Sequence, residues 1–422
     1  MVVMNNQNAR TRRQQGGALL IFMLAVVLAG MATLFGLLDS DSVKIERNKK
    51  TELALAKAKN ALIGWSVMRG GLVGTARPGE LPCPDNDAPG TSGYGVEDGS
   101  CVAGKVGRLP WKTIGVEELT DGYGEPLWYV IDGSFRKRPN MLQPINSDTR
   151  ASLQVYAPDG LTLMTSSGME AAAIVFAVGD PVSGQSRSPS NSAICPATAT
   201  NVTENRCATN YLETQNSRSN SINNGPFIKG KVTDNFNDHL TYISASELMK
   251  TIEKRVGREL RMILQNYFSV HGYYPYPAKY NDAFCLDVTN TGYFTDCISD
   301  TTSCRGRFPD EGLPISMGAN LPDWFVYNLW GQTIFYSVGT NSLATAPSGC
   351  SAQLSVDGVG KDAIIILAGT PLNATVRNNP SQNINLSSYL EDAENQDGWN
   401  VLANDIYTTL SASTNDSLYV LP

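Results

Sequence analysis

"AIVFAVGDP" (173–181) and "AIIILAGTP" (363–371) align without a gap. Each is an apolar run closed by Gly and Pro, the pattern of a strand that ends in a turn. Working outward, "YGEPLWYVI" (123–131) answers "WGQTIFYSV" (330–338), and "CVAGKVGRLP" (101–110) answers "CRGRFP" (304–309). "YLE" recurs at Tyr211 and Tyr389. Matches that keep one order point to an internal duplication. The strand runs are apolar throughout, so each is expected to be covered on at least one face by a helix, making an α+β unit.

Each copy opens with a helical signal. In the second, Ser244 and Glu247 form an S-x-x-E capping box, and Leu248, Ile252, Val256, Leu260, Ile263, Leu264 and Tyr267 follow at spacings of three and four. The stripe predicts a helix ending before Gly272 and the proline-rich "YYPYP". In the first copy Leu55, Ala58, Leu62 and Trp65 repeat the pattern, and nothing from Leu38 to Gly64 breaks the chain. The segments "SGQSRSPSNSA" (183–193) and "NSRSNSINNGP" (216–226) are polar and loop-like, which puts the domain boundary near residue 240.

Upstream lies "RRQQGGALLIFMLAVVLAGMATLFGLLDSD" (12–41). From Ala18 to Leu38 it runs 21 residues without a charge, enough helix to span a bilayer of roughly 30 Å and too long for the core of a secretory signal. Arg10, Arg12 and Arg13 precede it, and Asp39 and Asp41 follow. The positive-inside rule then expects the N-terminus in the cytoplasm and the body outside. Twin arginines in "TRRQQGG" lack the flanking pattern of a Tat signal. Lys44, Arg47, Lys49 and Lys50 weaken the asymmetry only a little.

Charged residues are 17% of the chain and the net charge is −7, so no basic face is expected for nucleic acid. All eight cysteines (Cys83, Cys101, Cys195, Cys207, Cys285, Cys297, Cys304 and Cys350) follow the apolar segment, as expected for disulfides in an oxidising compartment. Order along the repeat pairs Cys83 with Cys101, Cys285 with Cys304, Cys195 with Cys207 and Cys297 with Cys350, although spacing alone does not fix connectivity. Zinc is disfavoured, because there is no C-x-x-C and the only histidines are His239 and His271.

A short basic leader ending in glycine, followed by an apolar helix that becomes amphipathic, resembles the type IV pilins and the pseudopilins of type II secretion. "LWGQTIFYSVG" (329–339) looks like the "DPWGNPYxY" stretch of the major pseudopilins, and "VHGYYP" (270–275) like their "NGRYP". The resemblance covers about the first 70 residues by pattern and then islands in each copy. It implies a leader over 1–17, a cut by prepilin peptidase between Gly17 and Ala18 (or after Gly16), and a filament-core helix over 18–38. It further implies a first pilin-like α+β domain over 39–240 and a second over 241–422. The expected fold is therefore α+β: an N-terminal transmembrane helix continuing into a helix packed on an antiparallel sheet, then a second such unit.

The family's glutamate at the fifth mature position is Phe22 here. That carboxylate is thought to meet a neighbour's terminal amine, so its loss suits a subunit at the tip, as in the K-type pseudopilin and PilX-like minor pilins. The implied protein is a structural subunit, not an enzyme, anchored in the bacterial inner membrane with its body in the periplasm. Its partners would be other pilins or pseudopilins, through the helix. The rival expectation is a tethered adhesin or ligand-binding module outside any filament.

"GSCVAGKV" (99–106) satisfies G-x-x-x-x-G-K, but Val106 stands where Ser or Thr should hold magnesium, so a loop tied by Cys101 is expected. Asp85, Asp87, Glu97 and Asp98 gather in "DNDAPGTSGYGVEDG" (85–99) as a calcium candidate, to which the resemblance to calcium-binding pseudopilins adds, but their spacing fits no EF-hand and the commoner outcome for such a stretch is a solvated acidic loop. Asp159, Asp357 and Asp362 are alternative carboxylates. No G-x-S-x-G or H-E-x-x-H is present, and His239 beside Asp238 reads as a loop histidine. His271 reads as a helix-terminal charge. Trp128, Tyr129, Phe335 and Tyr336 read as core rather than a stacking platform, and "YYPYPAKY" (273–280) as either a recognition surface or a turn closing helix onto sheet.

Overall fold

A computed structural model describes residues 15–71, 76–87, 89–99, 106–136, 144–165, 170–183, 185, 187, 208–213, 227–230, 232–233, 235–280, 299–309, 321–372, 377, 385–397, 404–409 and 414–422, with side chains except at 15–18, 32–41, 209 and 326. One helix, α1 (Gln15–Met68), carries the N-terminal stretch into the body. No helix of the described residues is long and apolar enough to cross a membrane, so the expected transmembrane span over 18–38 is corrected. Further on, Ser42 to Lys50 is exposed and carries Lys44, Glu46, Arg47, Lys49 and Lys50. From Thr51 the helix becomes amphipathic, burying Ala54, Leu55, Ala58 and Leu62, with Trp65 half-buried.

The first unit continues through β1 (Gly107–Arg108), β2 (Trp128–Ile131), β3 (Val155–Tyr156), β4 (Ala171–Ala177), β5 (Phe227–Ile228) and β6 (His239–Ser244). Strands β1, β2, β4 and β6 form an antiparallel sheet in that order, and β3 pairs with β5. The second unit opens with α2 (Ala245–His271) and adds β7 (Arg305–Arg307), α3 (Asp323–Tyr327), β8 (Ile334–Val338), β9 (Leu354–Val356), β10 (Val359–Lys361), β11 (Ala363–Leu367), β12 (Ile406–Tyr407) and β13 (Ser417–Leu421). Strands β7, β8, β11 and β13 form its antiparallel sheet, again in chain order.

The registers of the two sheets superpose residue by residue. Gly107 and Arg108 face Tyr129 and Trp128, as Gly306 and Arg307 face Tyr336 and Phe335. Ala173 to Phe176 pairs with β2 and Ala173 to Ala177 with β6, as Ala363 to Leu367 pairs with β8 and β13. The equivalence extends to a stretch that composition does not betray. Asp85 bridges Arg108, and Ala278 bridges Arg307, so "LPCPD" (81–85) is the counterpart of "YPYPA" (274–278). Glycine at 306 is needed there, because a Cβ would lie 1.9 Å from the Ala278 carbonyl oxygen.

Both central strands of each sheet are buried along their length, since both faces are covered. Tyr129, Val175, Tyr336 and Ile365 point to a core shared with the helices. Trp128, Ile174 and Phe176 face a second cluster with Tyr211 and Leu212; Phe335, Ile364 and Ile366 face a third with Tyr389 and Leu390. Continuous apolar strands follow from two-sided burial. Helix α2 has the stripe the sequence predicts: Leu248, Ile252, Val256, Leu260, Ile263, Leu264 and Tyr267 are all buried. Ser244 accepts from the Glu247 amide, and Gly272 at φ 75° ends the helix. Glu247 does not reciprocate; its carboxylate pairs with Lys59 of α1 at 2.7 Å. Strand β6 runs to Ser244, so the junction between units lies at that cap.

Helix α2 also fastens α1. Arg255 donates to the carbonyls of Val67, Arg69 and Gly70 at the C-terminal end of α1, lies over the Trp324 ring and pairs with Glu259. A cation at a helix C-terminus meets the otherwise unpaired carbonyls and the dipole together. Two residues on, round the other side of the helix, Gly257 admits strand β13: a Cβ there would sit 2.2 Å from the Tyr419 ring. Gly257→Val should therefore lower stability by about 3 kcal/mol or more through overpacking. Equilibrium urea unfolding checks this; a loss under about 1 kcal/mol would mean that β13 tolerates separation from α2.

The cysteine pairing needs correction. Cys304 bonds Cys350, with Cα atoms 6.3 Å apart, and not Cys285. The expected Cys297–Cys350 bridge is likewise excluded. Sheet pairing is the reason: the Cys304 carbonyl accepts from the Val338 amide at the end of β8, and the following loop folds back so that Thr340 donates to the Ser351 carbonyl. The bond closes a separation of 46 residues, a constraint on the unfolded chain of about 4 kcal/mol. Cys83 is disulfide-bonded; Cys101, Cys195, Cys207, Cys285 and Cys297 lie outside the described residues.

Candidate functional site

The N-terminal part of α1 is the largest feature that the fold leaves uncovered. Leu19, Leu20, Ile21, Phe22, Met23, Leu24, Val26, Val27, Leu28 and Met31 are all at least half exposed, Phe22 to 68%. These residues surround the helix instead of lining one side, and a helix apolar on all sides is stable only when buried. Gly17 and Ala18 belong to its first turns. The body grips α1 at Arg47 and Thr51, where Thr51 takes the Gly122 amide and Arg47 lies over Tyr123; Leu19–Met31 lies upstream and is exposed.

In the acidic loop, three of the four expected carboxylates converge: Asp85, Asp87 and Asp98 bring oxygens within 4.8 Å of one another. Asp85 is buried and accepts from the amides of Asp87 and Gly95. Burial outweighs those bonds and pushes its carboxyl up to about 6. Asp98 accepts from Asn86. Glu97 is directed elsewhere, to the Cys83 amide. Calcium takes six to eight oxygens, and this cluster offers three carboxylates toward such a shell.

The other candidates have local roles. Asp159 accepts from Leu161 and Thr162, Asp357 from Thr409, and Asp362 from Gln353. His239 and Asp238 do not form a dyad. The Asp238 carboxylate takes the Glu213 amide, whereas His239 Nδ1 lies 3.5 Å from Glu52 of α1. His239 does line a cavity of about 290 Å³ with Asn48, Tyr123, Asp180 and Asn237. His271 ends α2 with its ring against Tyr267 and Tyr273. Trp128, Tyr129, Phe335 and Tyr336 are buried. "YYPYPAKY" is no free recognition surface: Tyr274 is buried and donates its amide to Ser342, Tyr276 bonds Thr345, and the Tyr280 hydroxyl reaches Asp397. The Gly99–Val106 motif falls largely outside the described residues.

Behind each sheet lies an arginine stack, present in both copies, that neither composition nor periodicity reveals. Arg108 lies over the rings of Trp128 and Tyr211, and Arg187 over Tyr211. In the second unit Arg307 lies over Phe335 and Tyr389, and Arg377 over Tyr389. The recurrent "YLE" supplies the shared ring, and its glutamate amide donates to Asp238 in one copy and to Asp416 in the other. The "GR" common to 107–108 and 306–307 was the available signal.

No family model, no curated protein and no solved structure matches this chain.

Proposed function

We propose that the protein is a minor-pilin-like or pseudopilin-like structural subunit, which packs the apolar N-terminal part of α1 among like helices of other subunits and holds its duplicated head outside that bundle. The observation that carries this reading is the uncovered apolar helix running directly into a helix-on-sheet head. Burying side chains such as Leu19, Ile21, Phe22 and Leu28 against neighbours contributes roughly 1.5–3 kcal/mol for each fully covered residue. Phe22 offers no carboxylate to a neighbour's amine, which supports a place at or near the filament end. The Cys304–Cys350 bond supports a head in an oxidising compartment such as the periplasm.

Mass spectrometry of the protein from its native host tests the reading. The expected mature chain starts at Ala18, and Gly17→Leu keeps Met1 and is lost from the sheared-filament fraction. Unchanged maturation of the G17L chain, or a wild-type chain retaining Met1, would refute the assignment.

A further inference from the structure

Four cations of α2 occupy one outward strip. Lys250, Lys254, Arg258 and Arg261 are exposed, while the apolar side of the same helix is buried in the core. At 3.6 residues per turn the four fall within about 80° of arc and rise about 16 Å. None forms an ion pair with an acid among the described residues. The neighbouring acids are otherwise engaged: Glu247 with Lys59, Glu259 with Arg255, and Glu253 buried behind the strip with Ser147. Lys250 acts on the buried Glu253, Arg258 on the Tyr419 hydroxyl and Arg261 on that of Tyr274.

A strip of one sign, a turn apart, on a rigid helix is a template for carboxylates at similar spacing. We propose that it docks the acidic flank of a neighbouring filament subunit, which fixes the head's position after α1 has entered the bundle; this rests on the filament reading above. Charge decides the class of partner. The chain as a whole carries −7, so a long polyanion such as nucleic acid is repelled beyond the strip, whereas a short acidic patch meets only the four cations. A lipid surface fits less well, since a helix lying in the interface turns an apolar face to the acyl chains, and that face of α2 is spent on the core.

Carbodiimide coupling, which joins an amine to a carboxylate only in direct contact, tests the proposal on sheared native filaments. Isopeptides from Lys250 or Lys254 to an Asp or Glu of another polypeptide are expected, falling several-fold when coupling follows a wash in high salt. The K250Q/K254Q/R258Q/R261Q chain should mature at Ala18 and melt like wild type, yet be retained in filaments at least fivefold less. Three results would overturn the proposal. One is wild-type retention of this variant with no intermolecular isopeptide. Another is isopeptides confined to one chain. The third is strip-dependent binding of the full chain to vesicles with 30% phosphatidylserine and no coupling, which would assign the strip to lipid. If the wild-type chain keeps Met1, the filament reading fails first and this proposal falls with it.

Discussion

Arg307→Ala is expected to lower the stability of the head by at least about 4 kcal/mol, among the largest single-residue effects the fold allows. The guanidinium is fully buried and donates to three carbonyls, those of Tyr280, Gly331 and Gln332. Alanine would leave three acceptors without a donor at about 1–3 kcal/mol each, together with a cavity between Phe335 and Tyr389. No carboxylate lies within ion-pair distance among the described residues. Burial accordingly pushes the group down to about 10, still charged at neutral pH. Arg307→Lys should recover less than half of the loss, because an ammonium has neither the planar fork nor the stacking surface. Urea unfolding of the full chain in detergent measures both variants; a loss below about 1.5 kcal/mol in R307A would show that the stack is incidental to the fold.

That stack marks the limit of what was legible in the residues. Strand runs such as 173–177 and 363–367, and the stripe of α2 with its Ser244 and Gly272 ends, follow local rules of burial and period, so they could be read directly. The arginine partners could not, because Tyr211 lies about a hundred residues from Arg108 and only sheet closure brings the rings over it. For the same reason the disulfide was misassigned. Nearness along the repeat favoured Cys285 for Cys304, whereas strand pairing delivers Cys350. "YYPYPAKY" misled in another way: its aromatic density suggested a surface, but the backbone of 274–278 is an edge bridge whose counterpart, 81–85, carries a cysteine where the second copy has Tyr276. At the N-terminus the unbroken helical pattern does give one helix, but no helix among the described residues is long and apolar enough to cross a membrane. In the acidic loop, spacing predicted the gathering, but only the fold could show that Glu97 turns to the Cys83 amide.

Glu253→Gln should stabilise the protein at pH 8 and leave it almost unchanged at pH 4. Glu253 faces inward from α2, 2% exposed, and its carboxyl accepts from the Ser147 hydroxyl at 2.8 Å. Burial pushes it up to about 7. After the Ser147 bond, the largest opposing influence is the charge of Arg377, which is committed to Asp148 at 2.9 Å and to the carbonyls of Ser388 and Tyr389. The sign follows from linkage. Below about pH 4.5 folded and unfolded chains are both protonated there, and burial of the neutral acid costs nothing extra. As the pH rises toward 7 the unfolded chain releases this proton while the folded one holds it, so stability falls by about 1.4 kcal/mol per unit, on the order of 3 kcal/mol in all, and levels off above 7. Glutamine keeps an acceptor for Ser147 and has no charge to bury, which removes this slope. Asp85 and Asp416 are raised by burial as well, to about 6 and about 8, so the whole protein keeps a residual decline and only the difference between variant and wild type isolates Glu253. Urea titrations at pH 4, 6 and 8 give that difference. Were E253Q less stable than wild type at pH 8, Glu253 would be ionised in the fold and held by Arg377, and the interior between the two units would be an ion-pair network instead of a proton-holding one.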